Sequence, residues 1–231
     1  MQSCSNKSDR VKRWVIAQRW TDLLFLSCPV KPELVQSQLP AGLEVDVLDG
    51  HAWLSVVPFF MSHIRFPGTP GFRWVRLREL NLRTYERYQG QPGIYFFTLD
   101  TDNLLGQWIA RTFFHLPYRL RWLRGSCEDG KYTFASANSL QLSARVGAPC
   151  VSDSLDRWLV ERYSLFTEKS GVFYRGDVLH QPWQLSRVDA LDVTESLTEE
   201  FGFYTTDTWH ARYAAVLDVR FRPFTKLSGC N

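Results

Sequence analysis

Within Leu77-Arg78-Glu79-Leu80-Asn81-Leu82-Arg83-Thr84-Tyr85, polar and apolar side chains alternate from Glu79 to Arg83, the period of two that marks a β-strand. Residues two apart on a strand share a face, so Glu79, Asn81, Arg83 and Tyr85 fall in one row, roughly 6–7 Å between successive members. After the turn-like Gln89-Gly90-Gln91-Pro92-Gly93 the chain returns as Ile94-Tyr95-Phe96-Phe97-Thr98-Leu99, apolar or aromatic on both faces. A strand of that kind is covered on both sides. The polar row paired with it is therefore expected inside the molecule, where charges are costly unless something pairs with them. The pattern predicts an enclosed polar pocket.

The same reading extends along the chain. Residues 22–26 predict a short apolar strand, and Pro32 opens a short helix over residues 32–38 that ends at Leu39-Pro40. Asp49-Gly50, between residues 44–48 and 51–58, is the strongest hairpin signal in the sequence and predicts that those arms pair. Two prolines and two glycines make residues 66–71 a loop. Asp102 or Asn103 caps an expected helix running to residue 114, which Pro117 stops. Residues 131–137 and 140–146 read as strands. Asp153 or Ser154 caps a helix in which Leu155, Trp158, Leu159, Arg162, Tyr163 and Phe166 keep the helical period. Strands are expected again over residues 172–178, 184–190 and 214–221, and a short helix over 194–201 closed by Gly202. Many antiparallel strands with a few inserted helices predict an α+β, mainly antiparallel domain built on a closed sheet. Closure also protects strands this apolar from edge pairing. Residues 1–13 are polar and basic and read as a disordered tail without the apolar stretch of a signal peptide, leaving residues 14–231 as one domain.

Composition narrows the function classes. Aromatic residues make up 15% of the 231, including 9 Trp and 16 Phe, enough bulk to fill a core or line a cavity. A net charge of +3 is too weak to argue for nucleic acid. Arg73, Arg76 and Arg78 with Trp74 read as a solvated basic strand edge. The apolar runs are too short to span a bilayer. The 5 cysteines are dispersed and fit reduced thiols in a cytoplasmic protein. His51, His63, His180 and His210 are scattered without metal-ligand spacing, and His180-Gln181-Pro182-Trp183 reads as a structural corner. No Gly-rich phosphate loop or Gly-x-Ser-x-Gly context is present, so no cofactor is expected. Among the 27 basic residues only six are lysine: Lys7, Lys12, Lys31, Lys131, Lys169 and Lys226.

The sequence resembles a known family. The segments that carry the resemblance are Trp20-x-Asp22-Leu23-Leu24-Phe25, Leu39-Pro40-x-Gly42-Leu43, Asp49-Gly50-x-Ala52-Trp53, Glu79-Leu80-Asn81-x-Arg83-Thr84-Tyr85 and Gly90-x-Pro92-Gly93-Ile94-Tyr95-Phe96-Phe97. Ala110-Arg111, Leu116-Pro117-Tyr118, Glu161-Arg162-Tyr163, His180-x-Pro182-Trp183 and Leu185 continue it. Together they look like the YqjF-like family, domain of unknown function 2071, and more remotely the acetoacetate decarboxylase superfamily. The resemblance implies a cone-like closed sheet around a pocket with flanking helices. It places Glu79 on the decarboxylase glutamate, Arg111 on the arginine of the second decarboxylase motif and Pro117 on its proline. The two motif lysines, the first of which forms the Schiff base in the decarboxylases, fall on Tyr118 and Arg119. The arginine near the first strand falls at about Pro29. The fold is inherited under this resemblance and the Schiff-base mechanism is not.

The expected function is binding of a small organic acid or carbonyl compound in a central pocket. Glu79 is the candidate for acid–base work, since enclosure raises its pKa, and Tyr118 the candidate to polarise an oxygen. Asn81, Arg83, Tyr85, Arg111 and His115 are the candidate ligand-binding residues, with the Arg forks suited to a carboxylate. Each has a bland alternative: a structural Glu79–Arg83 ion pair, packed tyrosines with satisfied hydroxyls, a surface Arg111, a helix-end His115. A lysine-independent lyase or hydrolase using Glu79, and a non-catalytic structural or interaction protein, stay open, as does a homo-oligomer. Nucleic-acid and membrane partners are not expected.

Overall fold

The computed structural model describes residues 14–71, 76–104, 115–205 and 208–227. The expected tail, Arg73, Trp74 and the expected helix beyond Leu104, with its Arg111, lie outside the described residues. In chain order the elements are β1 (Ile16–Val30), α1 (Pro32–Gln36), β2 (Glu44–Val45), β3 (Ala52–Arg65), β4 (Leu77–Tyr88), β5 (Gln91–Thr101), β6 (Tyr118–Leu120), β7 (Leu123–Glu128), β8 (Lys131–Ser136) and β9 (Leu140–Pro149). They continue as α2 (Ser154–Val160), β10 (Ser164–Lys169), β11 (Val172–Leu179), β12 (Ser186–Glu195), β13 (His210–Phe221) and β14 (Thr225–Lys226). No helix among the described residues is long and apolar enough to cross a membrane.

Strands β1, β3, β4, β5, β10, β11 and β13 close into a ring. Long antiparallel ladders hold most of it, and two short seams complete it: a parallel contact Leu165↔Ile94 between β10 and β5, and Val178↔Phe221 with Leu179↔Arg220 between β11 and β13. From β13 the sheet runs on through β12, β9, β8 and β7, an antiparallel meander that folds over the outside of the barrel. This arrangement makes two cores. Leu80, Leu82, Val56, Leu24 and Leu26 point outward and pack with Leu123, Tyr132, Phe134, Leu140 and Leu142 of the meander. Leu23, Phe25, Val57, Phe59, Leu77 and Tyr85 point into the lumen. That double burial is why the barrel strands read as apolar on both faces.

Three irregularities change which side chains reach the lumen. Along β1, Ile16, Gln18 and Trp20 face inward, then Leu23 and Phe25 do, with Asp22 at φ 53° between them. Tyr213 Oη donates to Asp22 Oδ1 at 2.7 Å and Arg76 pairs with Oδ2 at 3.1 Å, which holds the left-handed residue in place. Along β3, Val57, Phe59 and Met61 give way to Ile64 and Phe66 around His63, φ 51°. Along β5 the register against β4 slips between Leu82 and Arg83, whose partners are Thr98 and Phe96. Phe97 is the extra residue, so Leu99 and Thr101 face inward on one side of it and Ile94 and Phe96 on the other. Each bulge inverts the parity of a period-two pattern.

Four elements differ from the sequence expectation. Asp49-Gly50 does make a turn with both φ positive, but its arms are joined only by the bridge Leu48↔His51, and β2 crosses to pair with β4. The capped helix at Asp153 stops at Val160, because residues 164–169 form a full ladder with β11 that the helical period of Arg162, Tyr163 and Phe166 concealed. Thr194 and Glu195 stay in β12, and only Glu199–Phe201 coils, as a 3₁₀ turn closed by Gly202. The apolar run at residues 22–26 is the middle of a 15-residue strand.

Helix α2 closes one end of the barrel: Trp158 packs on Tyr85 at 4.9 Å between ring centroids, and Leu159 and Val160 enter the lumen core. Asp46 ties that end together. Its backbone N–H donates to the Tyr85 carbonyl at 2.9 Å, and its carboxylate accepts from Arg87 Nε and Arg162 Nη1, both at 2.8 Å. Asp46 and Arg162 are both buried. Removing one member of a buried ion pair strands the other, so Asp46→Ala is expected to cost about 3–5 kcal/mol, measured by urea unfolding, against less than about 1 kcal/mol for cutting the exposed Arg19–Asp218 pair with Asp218→Ala.

Candidate functional site

The lumen holds a cavity of about 230 Å³. Its wall is mostly apolar, with an aromatic side built by Trp20, Phe59, Trp183 and Phe221, whose rings lie 5.3–6.5 Å from Trp20. Into this wall β4 projects Glu79, Asn81 and Arg83 in the row that alternation dictates. All three are buried, Glu79 at 4% and Arg83 at 8% exposure.

Glu79 and Arg83 are not an ion pair. Among the described residues no carboxylate lies within ion-pair distance of Arg83, and its Nε has no hydrogen-bond partner. The guanidinium sits instead between the rings of Phe25 and Tyr85, 5.3 and 5.8 Å from their centroids. Glu79 belongs to the other end of the row. Its Oε2 accepts from Tyr118 Oη at 2.6 Å and its Oε1 from Asn81 Nδ2 at 3.4 Å, while Asn81 Oδ1 is left without a partner. Tyr118 arrives there because β6 pairs in parallel with β5, setting Tyr118 beside Leu99, which in turn faces Asn81. Burial pushes the Glu79 carboxyl up to about 7; the Tyr118 and Asn81 hydrogen bonds act against this and the Asp100 charge adds to it. Burial, reinforced by the Glu79 charge, holds the Tyr118 phenol well above its ordinary value.

Tyr85 shares the face of the row, but it lies beneath the cavity, and its hydroxyl is hydrogen-bonded to Ser55 Oγ at 2.7 Å. His115 sits at φ 53° outside the cavity wall, with its ring 4.8 Å from that of Tyr174 and its Nδ1 3.3 Å from Lys169 Nζ. Arg111 lies outside the described residues. Arg76 and Arg78, read as a basic strand edge, are paired with Asp22 and Asp102. Several polar wall residues, among them Arg162, His180 and Thr101, were not singled out as site residues by sequence. Arg162 lay hidden in an apparent helical period, and His180 in a corner motif. Thr101 faces Glu79 across β4 and β5. Burial keeps the His180 ring below its ordinary pKa; the Arg83 charge adds to this, and the Gln181 carbonyl and Glu161 oppose it. Among the described residues no lysine lines the cavity. Among the described residues no three His, Cys, Asp or Glu side chains gather to hold a metal ion.

A carboxyl whose pKa is raised on folding binds more protons in the native than in the unfolded chain. Stability then falls as pH rises from the unfolded value of 4.5 toward about 7. Glu79→Gln removes the titrating group. Its melting temperature is expected to lie closest to wild type near pH 5 and to gain on wild type as pH approaches 8, followed by thermal melts across that range.

Comparison with known proteins places this geometry in a family. The model of the DUF2071 family, described as an uncharacterized conserved protein, matches residues 17–218. The uncharacterized protein YqjF of Bacillus subtilis is 36% identical over 228 residues, covering 93% of each chain. Among solved structures, acetoacetate decarboxylase from Legionella pneumophila superposes with a TM-score of 0.70 at 11% identity, over 96% of this chain and 93% of that one. The enduracididine biosynthesis enzyme MppR, complexed with pyruvate, gives 0.65 at 11% identity over 96% and 93%. At these identities the structural likeness is one of fold.

Proposed function

The chain belongs to the DUF2071 family of YqjF-like proteins, and we propose that its barrel lumen binds a small organic acid, the carboxylate held by Arg83. The observation that carries this reading is the guanidinium itself. A permanently charged group buried beside a cavity, with no carboxylate partner among the described residues, leaves its charge and its Nε donor for a ligand. The cavity of about 230 Å³ lies below the usual range for drug-sized ligands, which favours an acid of few heavy atoms. Asn81 Oδ1 and the Tyr118–Glu79 pair, further along the same strand, provide an acceptor and an acid for a carbonyl or hydroxyl on the same molecule. That a protein of the same fold was solved with pyruvate supports a 2-oxo acid. Schiff-base chemistry is not favoured, since the resemblance sets Tyr118 at the lysine position and among the described residues no lysine lines the cavity.

A ligand that binds only the folded state stabilises it by mass action. At a concentration 100-fold above Kd the gain is about 2.7 kcal/mol, or a melting shift of about 5–10 °C for a domain of this size. Thermal melts with pyruvate, 2-oxobutyrate, acetoacetate and acetate are expected to show such a shift for at least one of them. Arg83→Met is expected to fold with a melting temperature equal to or above that of wild type, because no buried carboxylate loses a partner, and to lose the shift. A large ligand-independent loss of stability in Arg83→Met, with no acid shifting wild type, would refute the reading.

A further inference from the structure

Resting on that reading of the lumen, we propose that Glu79 and Tyr118 enolise a bound 2-oxo acid without a lysine, exchanging its C3 hydrogens with solvent. Glu79 and Arg83 stand four residues apart on one face of β4, about 13 Å between Cα atoms by strand rise. Both side chains enter the cavity and they do not meet. A 2-oxo acid whose carboxylate rests on Arg83 therefore extends back along the strand, with its carbonyl at Asn81 and its C3 toward Glu79. Because Glu79 is bonded to a phenol and an amide and, among the described residues, to no cation, its carboxylate can act as a base. Asn81 Nδ2 carries two hydrogens and gives one to Glu79, which leaves the other for the substrate carbonyl. Leu77, Leu99, Phe59 and Met61 keep this end of the cavity apolar and give room to alkyl substituents on C3.

In the step, the Glu79 carboxylate takes a proton from C3. The C–H bond breaks, an O–H bond forms on Glu79, and the C–H electron pair becomes the C2=C3 bond. The carbonyl π pair moves to the C2 oxygen, which accepts hydrogen bonds from Asn81 Nδ2 and from Tyr118 Oη. Tyr118 is released for this role at the right moment, because the charge it had been donating to is neutralised by the incoming proton. Return of a solvent-derived hydron from Glu79 to C3 completes the cycle with no oxidant, reductant or second substrate. The raised pKa of Glu79, about 7, puts a base of useful strength near neutral pH.

The test follows the C3 signals of pyruvate and 2-oxobutyrate by proton NMR in D2O, with melting shifts for the same acids measured in parallel. Wild type is expected to wash out the C3 protons about 100-fold faster than buffer, the usual lower worth of a positioned acid–base group, with a rate that rises as pH passes about 7. Glu79→Gln is expected to keep the ligand-induced shift and lose the exchange. Tyr118→Phe is expected to bind and to exchange more slowly, with its pH midpoint displaced, which serves if the Gln variant does not fold. Arg83→Met is expected to lose both. Wild type stabilised by pyruvate but exchanging no faster than buffer would overturn this inference and leave the binding reading standing; neither stabilisation nor exchange would remove both.

Discussion

A guanidinium enclosed in a barrel, with no counter-ion among the described residues, is the constraint on which the rest of this structure turns. A guanidinium is costly to bury, so the surroundings must make the burial of Arg83 tolerable. Phe25 and Tyr85 offer it ring faces, the neighbouring Arg162 is neutralised by Asp46, and His180 is held toward its neutral form. None of these supplies an anion. The acidic group that alternation brings to the same strand face is kept four residues away and is held by Tyr118 and Asn81. Charge separated along one strand, across a cavity, costs folding free energy that a direct ion pair would recover in part. Sites that bind a ligand carry this kind of expense.

The barrel makes that separation possible. Its wall is stiff because it is packed on both sides, by the lumen core within and by the β7–β8–β9–β12 meander without. Tyr85 hydrogen-bonded to Ser55, and Ser55 to Ser27, pins β4, β3 and β1 to each other at the floor. Helix α2 then seals the end with Trp158. The side chains above this floor are positioned by strands, so the distance between Arg83 and the Glu79–Tyr118 pair is set by backbone rise rather than by loop conformation.

The polar row was legible because alternation holds from Glu79 to Arg83, and the burial of its partner strand showed in the residues Ile94 to Leu99. The closed, mainly antiparallel sheet followed from the same signals and from the family resemblance. What escaped was everything that breaks a period. Bulges at Asp22, His63 and Phe97 exchange inward and outward positions within a strand, and no composition rule marks where a ladder will slip. Arg162 sits where a helical pattern runs on past the point at which pairing with β11 ends the helix, so its place in the lumen was masked by a stronger local signal. The Asp49-Gly50 turn formed, but its first arm found a better partner in β4. Glu79 and Arg83 read equally well as a pair or as two ends of a site, because spacing on a strand gives their common face and not the direction in which each long side chain leans.

The likeness to acetoacetate decarboxylase and to MppR is one of fold; the chemistry available inside the barrel depends on this chain's own side chains. The lumen offers a fixed cation at one end and a neutralisable acid at the other. The decisive measurement is a crystal structure of the protein grown with pyruvate. A planar ligand is expected in the lumen, its carboxylate in a two-point contact of about 2.7–2.9 Å with the Arg83 guanidinium, and Glu79 still bonded to Tyr118. A lumen closed by its aromatic wall with no ligand in it, or Arg83 turned onto a carboxylate of the protein itself, would contradict it.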